Sequence, residues 1–165
     1  MKEWLIRLGL VAALIGIGVW AWSYLHPSPE KVIRKRLGEM AQAVSFSSNE
    51  GLVAKAWNAS KLGEFFTPDV TVVVDVYGTR HTLNARDELL QAAVSARSAV
   101  KSLSVQFPDI KVVVEPGGAA ATVYLTARGK VSGERDSYVQ ELKMHLIKVK
   151  RDWLINQIET VRTLS

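Results

Sequence analysis

The chain has 165 residues, a formal net charge of +5 and 48% hydrophobic residues, which suits one ordinary globular domain with a short appendage. It contains no cysteine, so disulfides, cysteine-ligated zinc, iron–sulfur clusters and thiol nucleophiles are excluded. Basic residues flank the first apolar segment on both sides: Lys2, Arg7, Lys31, Arg34, Lys35 and Arg36. This placement favours lipid headgroups over nucleic acid as the partner of the positive charge.

An uncharged apolar run from Leu8 to Leu25 is the first element of the chain. With the residues before it, the run is long enough to cross a hydrocarbon core of about 30 Å. We therefore predict a retained single-pass anchor over residues 1–27, followed by one folded domain over residues 28–165. The side chains expected at the membrane interface are Trp4, Arg7, Trp20, Trp22 and Tyr24. A cleaved signal peptide is the alternative, with Val19–Ala21 or Ala21–Ser23 before the cut.

The charges around the anchor give conflicting indications of its orientation in the membrane. A count of lysine and arginine on the two sides of the run favours a cytoplasmic domain. The tail before the run is short and carries a positive amino terminus, however, and this resembles signal-anchors that send the following domain outward. We expect a domain in the bacterial periplasm, with the cytoplasm as the alternative.

Helices and a hairpin follow the anchor. Ser28-Pro29-Glu30 combines a hydroxyl cap, proline at the first helical position and an acid near the positive end of the helix dipole, so it predicts a helix start. Apolar residues then recur at helical spacing: Val32, Ile33, Leu37, Met40, Ala41 and Val44. A second helix is predicted after Ser47–Glu50, and a third after Asn84–Asp87, which resembles a capping box.

Between the second and third helices, "VTVVVDVY" is β-branched and precedes Gly78-Thr79, a pair that suits a type II′ hairpin turn. With that turn, Val74 pairs with Leu83 and Val76 pairs with His81. Residues directly opposite each other share a face. The core face is therefore predicted to carry Val72, Val74, Val76, His81 and Leu83.

The remaining chain has the pattern of a long antiparallel meander. Its strands are predicted in "SLSVQFPDIKVVVE", where Pro108 indicates a bulge or bend, and in "AAATVYLTARGKV", "YVQELKMHLIKVK" and "WLINQIETVRTL", the last after a tight turn at Arg151-Asp152. The order of elements predicts an α+β fold in which a curved antiparallel sheet wraps over a helix layer.

This order resembles the nuclear transport factor 2-like superfamily, also called the SnoaL-like or cystatin-like cone. The resemblance covers roughly Pro29 to Thr163 and includes "FFTPDV", "GTRHTLNARDELL" and the closing "DWLINQIE". Members include isomerases, dehydratases, cyclases and non-catalytic adaptors, so the resemblance implies a fold and leaves the activity open.

Enzymes of that superfamily commonly place an acid or a histidine inside the cone, where burial tunes its pKa. We find no acid on the predicted inner faces. His81 is the one inward ionisable group, and Tyr124 and Asn156 join it as candidate pocket-lining residues if their strands face the cone. The three histidines are too far apart in sequence for a metal site, and no cofactor motif is present.

Glu141, Lys143 and His145 share the opposite face of their strand and are the candidate contact surface for a protein partner or for a homodimer. The sequence thus favours a membrane-anchored, non-enzymatic domain that binds a protein partner or a small apolar ligand, as part of a membrane assembly. The alternative is a membrane-tethered small isomerase or cyclase that uses His81.

We predict that the protein extracted from native membranes retains its amino-terminal segment, because the apolar run is long and carries bulky aromatic residues near both candidate cleavage sites. Intact-mass spectrometry locates the amino terminus directly. A mature chain that begins near Tyr24 would contradict the retained anchor.

Overall fold

The computed structural model of the chain describes residues 12–18, 27–76 and 79–161. Residues 12–18 are helical. The elements that follow are α1 (Pro29–Val44), α2 (Leu52–Gly63), β1 (Phe66–Val76), β2 (Thr79–Leu83), α3 (Arg86–Ala99), β3 (Leu103–Gln106), β4 (Ile110–Val114), β5 (Ala120–Val131), β6 (Tyr138–Val149) and β7 (Asp152–Thr160). The architecture is α+β, as predicted.

Helix α1 begins where the sequence predicts it. The Ser28 hydroxyl accepts the backbone N–H of Lys31 at 3.4 Å, and Pro29 occupies the first helical turn. At the other end, the Ser45 hydroxyl donates to the carbonyl of Ala41 at 2.7 Å and accepts the N–H of Val105 at 2.9 Å. The same serine therefore ends the helix and attaches it to β3.

The strands form one sheet in the order β2-β1-β7-β6-β5-β3, and β4 also pairs with β5. Strand β1 runs parallel to β7, whereas the other pairs are antiparallel. The sheet is therefore mixed, which corrects the predicted antiparallel sheet. The parallel pair joins strands that are distant in sequence, and no turn or local pattern specifies such a pairing.

The segment around Pro108 forms two strands instead of the predicted single strand. Strands β3 and β4 both pair with β5, and Phe107–Asp109 separates them. Proline has no N–H to donate to the neighbouring strand, so the ladder is interrupted at this point.

The β1–β2 hairpin differs from the prediction by a register shift of two residues. Val74 pairs with His81 and Val76 pairs with Thr79, so residues 77–78 connect the strands and lie outside the described residues. Glycine favours a two-residue turn at either central position, so Gly78 suits both the predicted turn at Gly78-Thr79 and a turn at residues 77–78. Because an even shift preserves the face of every side chain, His81 still shares a face with Val74.

The core lies between the helices and one face of the sheet. From α1 it contains Ile33 and Leu37, which are 0% and 1% exposed. On β5, buried residues alternate with more exposed ones, and the same holds on β6: the buried set is Ala121, Val123, Leu125, Met144 and Leu146. The opposite face of these strands, called the outer face below, carries the residues between them.

Of the predicted anchor, the structure describes only residues 12–18, in which Leu14, Ile15 and Ile17 are exposed. Within the described ranges, no helix has both the length and the apolar character needed to cross a membrane. The predicted interface residues lie outside the described residues: Trp4, Arg7, Trp20, Trp22 and Tyr24.

Replacing Leu37 by alanine removes a side chain that is 1% exposed and packs in the core. We expect the free energy of unfolding to fall by about 2–5 kcal/mol, because a cavity replaces buried methyl groups. Urea unfolding followed by circular dichroism measures this change. The matched control, Gln42→Ala, alters the exposed side of the same helix and should change stability by less than about 0.5 kcal/mol. Equal effects of the two substitutions would contradict the assignment of the helix faces.

Candidate functional site

Two rows of side chains cross the outer face of the sheet from β5 to β1. The strand register places Tyr124, Lys143, Glu159 and Val73 side by side, and we call this set the charged row. The neighbouring set is Thr122, His145, Gln157 and Thr71, called the polar row. Adjacent members of a row are directly opposite each other on neighbouring strands, close enough for their side chains to interact.

An ion pair lies at the centre of the charged row. Lys143 Nζ is 2.9 Å from Glu159 Oε1, and the two side chains are 42% and 37% exposed. The hydrogen bond to Glu159 and its negative charge raise the pKa of Lys143, and nearby Tyr124 adds to the effect. The lysine is therefore held as a cation beside a carboxylate.

His145 in the polar row has a partner on each ring nitrogen. Its Nδ1 is 2.8 Å from Asn156 Oδ1, and its Nε2 is 3.3 Å from Glu115 Oε1. Glu115 follows β4, so the imidazole joins three segments of the sheet. A neutral ring donates through one nitrogen only, and protonation lets both nitrogens donate.

A β-bulge in β7 creates this arrangement. Leu146 pairs with Ile155 while His145 pairs with Gln157, so Asn156 is the extra residue in the ladder. Two residues of β7 therefore lie opposite the single histidine. The bulge also changes the face of every later residue of β7, which puts Ile158 in the core and Glu159 beside Lys143.

A cavity of about 300 Å³ opens between the two rows. It is lined by Thr122, Lys143, His145, Asn156, Gln157 and Glu159. A second cavity of about 450 Å³ lies beside it, and its lining includes Tyr124 and Glu141. Both cavities offer hydrogen-bond donors and acceptors on a surface that also carries apolar side chains, which suits the recognition of a polar group on another molecule.

The structure does not bring together His81, Tyr124 and Asn156, the residues predicted to line one pocket. His81 is exposed on edge strand β2 and lies on the core side of the sheet. Tyr124 is 43% exposed on the outer face, because it alternates with buried Val123 and Leu125. Asn156 contacts His145 instead. His81 has the predicted face, but β2 lies at the sheet edge, where an inward orientation does not imply burial.

The predicted contact residues Glu141, Lys143 and His145 lie on the outer face, and their role as a contact surface stays a prediction. Glu115, Gln157 and Glu159 were not predicted as members of this site. The spacing of apolar residues in β7 carried a signal for the last two, because Trp153, Ile155 and Ile158 break the alternation that a regular strand shows.

A second polar cluster joins the ends of the helices. The guanidinium of Arg97 donates to the carbonyl of Ala43, lies 3.5 Å from Glu50, and covers the ring of Phe46 at 5.0 Å from its centroid. Glu50 also accepts a hydrogen bond from Asn58 at 3.3 Å. The side chain of Arg97 is only 9% exposed and is paired on several sides, which is typical of a structural ion pair. Among residues 12–18, 27–76 and 79–161, no three acidic or histidine side chains are placed to hold a metal ion.

Solved structures share this fold at low sequence identity. No protein-family model matches the chain, and no curated protein matches it. A nuclear transport factor 2-like protein of unknown function from Pseudomonas putida is 8% identical, with a TM-score of 0.65 over 85% of this chain and 90% of that one.

Two further structures carry different names. A protein from Novosphingobium aromaticivorans, provisionally named a scytalone dehydratase, is 13% identical, with a TM-score of 0.61 over 82% of this chain and 84% of that one. A protein of unknown function with a cystatin-like fold from Nostoc punctiforme is 12% identical, with a TM-score of 0.59 over 82% and 92% of the two chains. The fold of this chain is therefore the nuclear transport factor 2-like, cystatin-like cone, as the sequence resemblance implied.

Proposed function

We propose that the chain is a non-enzymatic binding module that docks a protein partner on the outer face of its sheet, beside the membrane that holds its amino-terminal segment. One observation carries this proposal. The outer face displays polar side chains that are already held by internal partners, next to apolar side chains that remain exposed.

The exposed apolar residues supply the attraction. Val113 on β4 and Tyr124 on β5 are 46% and 43% exposed, and both lie on the outer face. Aromatic side chains surrounded by ordered polar groups are typical of protein interfaces. Lys143 and His145 are each fixed by contacts within the sheet. Because these side chains are already ordered, binding a partner costs less side-chain entropy than it would if they were mobile before binding.

The inner face supports the same proposal. Among the described residues, Thr67 is the polar side chain that is buried, and the cluster under the helices is apolar. A general acid or base inside the cone would require an ionisable group in this cluster. The alternative enzyme that uses His81 receives no support, because His81 is exposed and Tyr124 lies on the opposite face.

The proposed membrane location rests on the uncharged run from Leu8 to Leu25. In the described part of this run, Leu14, Ile15 and Ile17 are each more than half exposed. A tether of this kind would raise the concentration of the domain beside other membrane components. We place the domain on the periplasmic side of a bacterial membrane.

A photo-crosslinking amino acid at Val113 should form a covalent adduct with one protein partner in native membranes, because this residue is exposed beside the polar rows. The matched probe at Gln42, on the exposed side of α1, should form no such adduct. Adding Tyr124→Lys should reduce the adduct from Val113 by roughly tenfold, since a buried interface aromatic contributes more than 1 kcal/mol. Adducts of equal yield from both positions would contradict a specific contact at the outer face.

The internal pairing of the outer face can be measured by titrating Lys143. Its pKa is raised above the ordinary 10.5 by the hydrogen bond to Glu159 and by the charge of that residue. Glu159→Gln should therefore lower the pKa of Lys143, while Glu134→Gln in the exposed β5–β6 loop should leave it unchanged. NMR shifts of the Lys143 Cε and Hε atoms report both values.

The raised pKa of Lys143 also determines how the stability of the domain depends on pH. The folded state binds the proton of Lys143 more tightly than the unfolded chain does, so the pair contributes its full stabilisation below pH 10.5 as long as Glu159 is ionised. This contribution disappears as the pH rises through the raised pKa of Lys143. A Lys143 pKa that Glu159→Gln leaves unaltered would show that the pair does not form in solution.

A further inference from the structure

We infer that the turn between β6 and β7 is a second contact of the domain with the membrane, where lysine and arginine bind the phosphates of anionic lipid headgroups. This inference rests on the membrane location in the proposed function and specifies how the domain stands on the bilayer. The turn connects Val149 to Asp152, which pair across the ladder. Lys148, Val149, Lys150 and Arg151 are all exposed, and we call them the basic turn.

The carboxyl end of α1 is fixed far from the basic turn. Phe46, two residues beyond the helix, exchanges two backbone hydrogen bonds with Leu103 of β3. Strand β3 pairs with residues 128–131 of β5. The basic turn lies at the other end of β5, where the Lys148 N–H donates to the carbonyl of Ala119 at 2.8 Å. The carboxyl end of α1 and the basic turn are therefore at opposite ends of the sheet.

The amino end of α1 lies on the same side as the turn. Arg36 donates to the carbonyl of Glu64 at 2.6 Å, and the carbonyl of the next residue, Phe65, accepts the N–H of Ile155 at 2.8 Å. Ile155 is four residues after Arg151, which corresponds to about 13 Å of strand. Seven residues of α1 precede Arg36 and cover about 11 Å in the direction away from β3. The start of α1 and the basic turn therefore reach the same end of the domain.

The covalent chain keeps this end close to the lipid. The uncharged run ends at Leu25, and α1 begins at Pro29. Four residues span at most about 14 Å, even in a fully extended chain. With the run embedded in the bilayer, the start of α1 lies no further than this from the headgroups. The basic turn at the same end is thereby brought within reach of them.

The cations at this end are largely uncompensated. Lys31 and Lys35 lie one helical turn apart on the exposed side of α1. Among residues 12–18, 27–76 and 79–161, neither they nor the three cations of the basic turn form an ion pair. Such a cluster beside a membrane attracts anionic lipid.

The acidic side chains at this end do not cancel that charge. Glu30 is 2.9 Å from Arg34, and Glu115 is 3.3 Å from His145, so both have partners within the domain. Asp152 and Glu64 remain, against the five cations. The surface that faces the bilayer is therefore positive, although the two rows of the outer face carry both signs.

The backbone of the turn disfavours the lysine that it contains. Lys150 has a φ of 57°, and in the part of the chain that the structure describes it is the one non-glycine residue with a positive φ. Glycine, asparagine or aspartate fill such turn positions with less strain. Strained residues are concentrated at functional sites. Beside it, Val149 is apolar and 40% exposed, so the turn can place both charge and apolar surface in the headgroup layer.

This contact determines how the outer face is presented. When the start of α1 and the basic turn both rest on the bilayer, the strands rise from its surface and the outer face is turned sideways. A neighbouring membrane protein can then reach that face, as the proposed function requires. Nucleic acid would also bind cations, but lipid phosphate is held beside the turn at high local concentration by the tether.

A single fluorescent label tests the contact, because the chain contains no cysteine of its own. Full-length Val149→Cys carries the label in vesicles of phosphatidylcholine, with or without phosphatidylglycerol, and a quencher is attached to the lipid headgroups. Quenching should be several-fold stronger with phosphatidylglycerol. It should fall in about 1 M salt, where the Debye length is about 3 Å. The matched label at Glu134→Cys, in the loop at the opposite end of β5, should show little quenching in either vesicle.

Removal of the charges should release the turn from the lipid. In K148Q/K150N/R151Q, asparagine is chosen at position 150 because it tolerates the left-handed backbone. A cation near an anionic surface contributes about fivefold, or about 1 kcal/mol, so the three changes should weaken the contact by roughly a hundredfold. The matched variant R128Q/K130Q/R135Q removes the same charge at the opposite end and should quench like the wild type. Thermal unfolding by circular dichroism checks both variants, and K150N alone, with about a fivefold effect expected, replaces a triple variant that does not fold.

The results also separate this inference from the proposed function. Equal quenching at positions 149 and 134, or a contact that neither salt nor the charge variants weaken, overturns the inference. A label at position 149 that responds to added RNA and not to anionic lipid would assign the turn to nucleic acid. Failure of the full-length chain to float with vesicles would refute the membrane location and the inference together. A chain that floats without contact at the turn, but still forms the Val113 adduct, would refute the inference alone.

Discussion

Burial of one face of the sheet under α1 is the constraint on which the rest of the structure depends. Ile33 and Leu37 belong to the same buried cluster as alternate residues of β5 and β6. Burying one large apolar side chain contributes about 1.5–3 kcal/mol, while a cross-strand pair on the outer face contributes about 0.2–1 kcal/mol. Burial of the core face therefore determines the register of the strands. The side chains of the outer face contribute less to the fold and are available for contacts with other molecules.

The bulge at Asn156 shows how the core determines the outer face. Without it, the register that begins at Val149 and Asp152 would place Ile158 opposite Lys143 on the outside. The extra residue turns Ile158 into the core and brings Glu159 beside the lysine. Burial of one isoleucine thus assembles the ion pair, and the same irregularity supplies the amide that holds His145.

Much of the fold could be predicted from the sequence because its signals are local. The cap at Ser28 and the two faces of β6 depend on neighbouring residues, and each appears as predicted. The parallel pairing of β1 with β7 has no local signal, because it joins segments that are distant in sequence. The hairpin register was ambiguous because glycine can serve at either turn position, although the even shift preserved the predicted face of His81.

The candidate site was less predictable than the fold for a related reason. A periodic pattern gives the face of a residue but does not tell how far the helices extend over the sheet, and His81 lies where they do not cover it. Lys143 and His145 could be assigned to the outer face from alternation alone. Their partners Glu159 and Asn156 required the bulge, whose trace in the sequence is the three-residue spacing between Ile155 and Ile158.

The exposure of the outer ion pair decides what it can contribute. In the free domain, Lys143 and Glu159 are 42% and 37% exposed, and solvent screening leaves such pairs only a small contribution to stability. Exchanging internal partners for intermolecular ones therefore costs the domain little. Once another surface excludes water, the effective dielectric constant falls and mismatched charges become costly. The charged row is thus suited to select one register of contact, while Tyr124 and its apolar neighbours supply the area that holds the contact together.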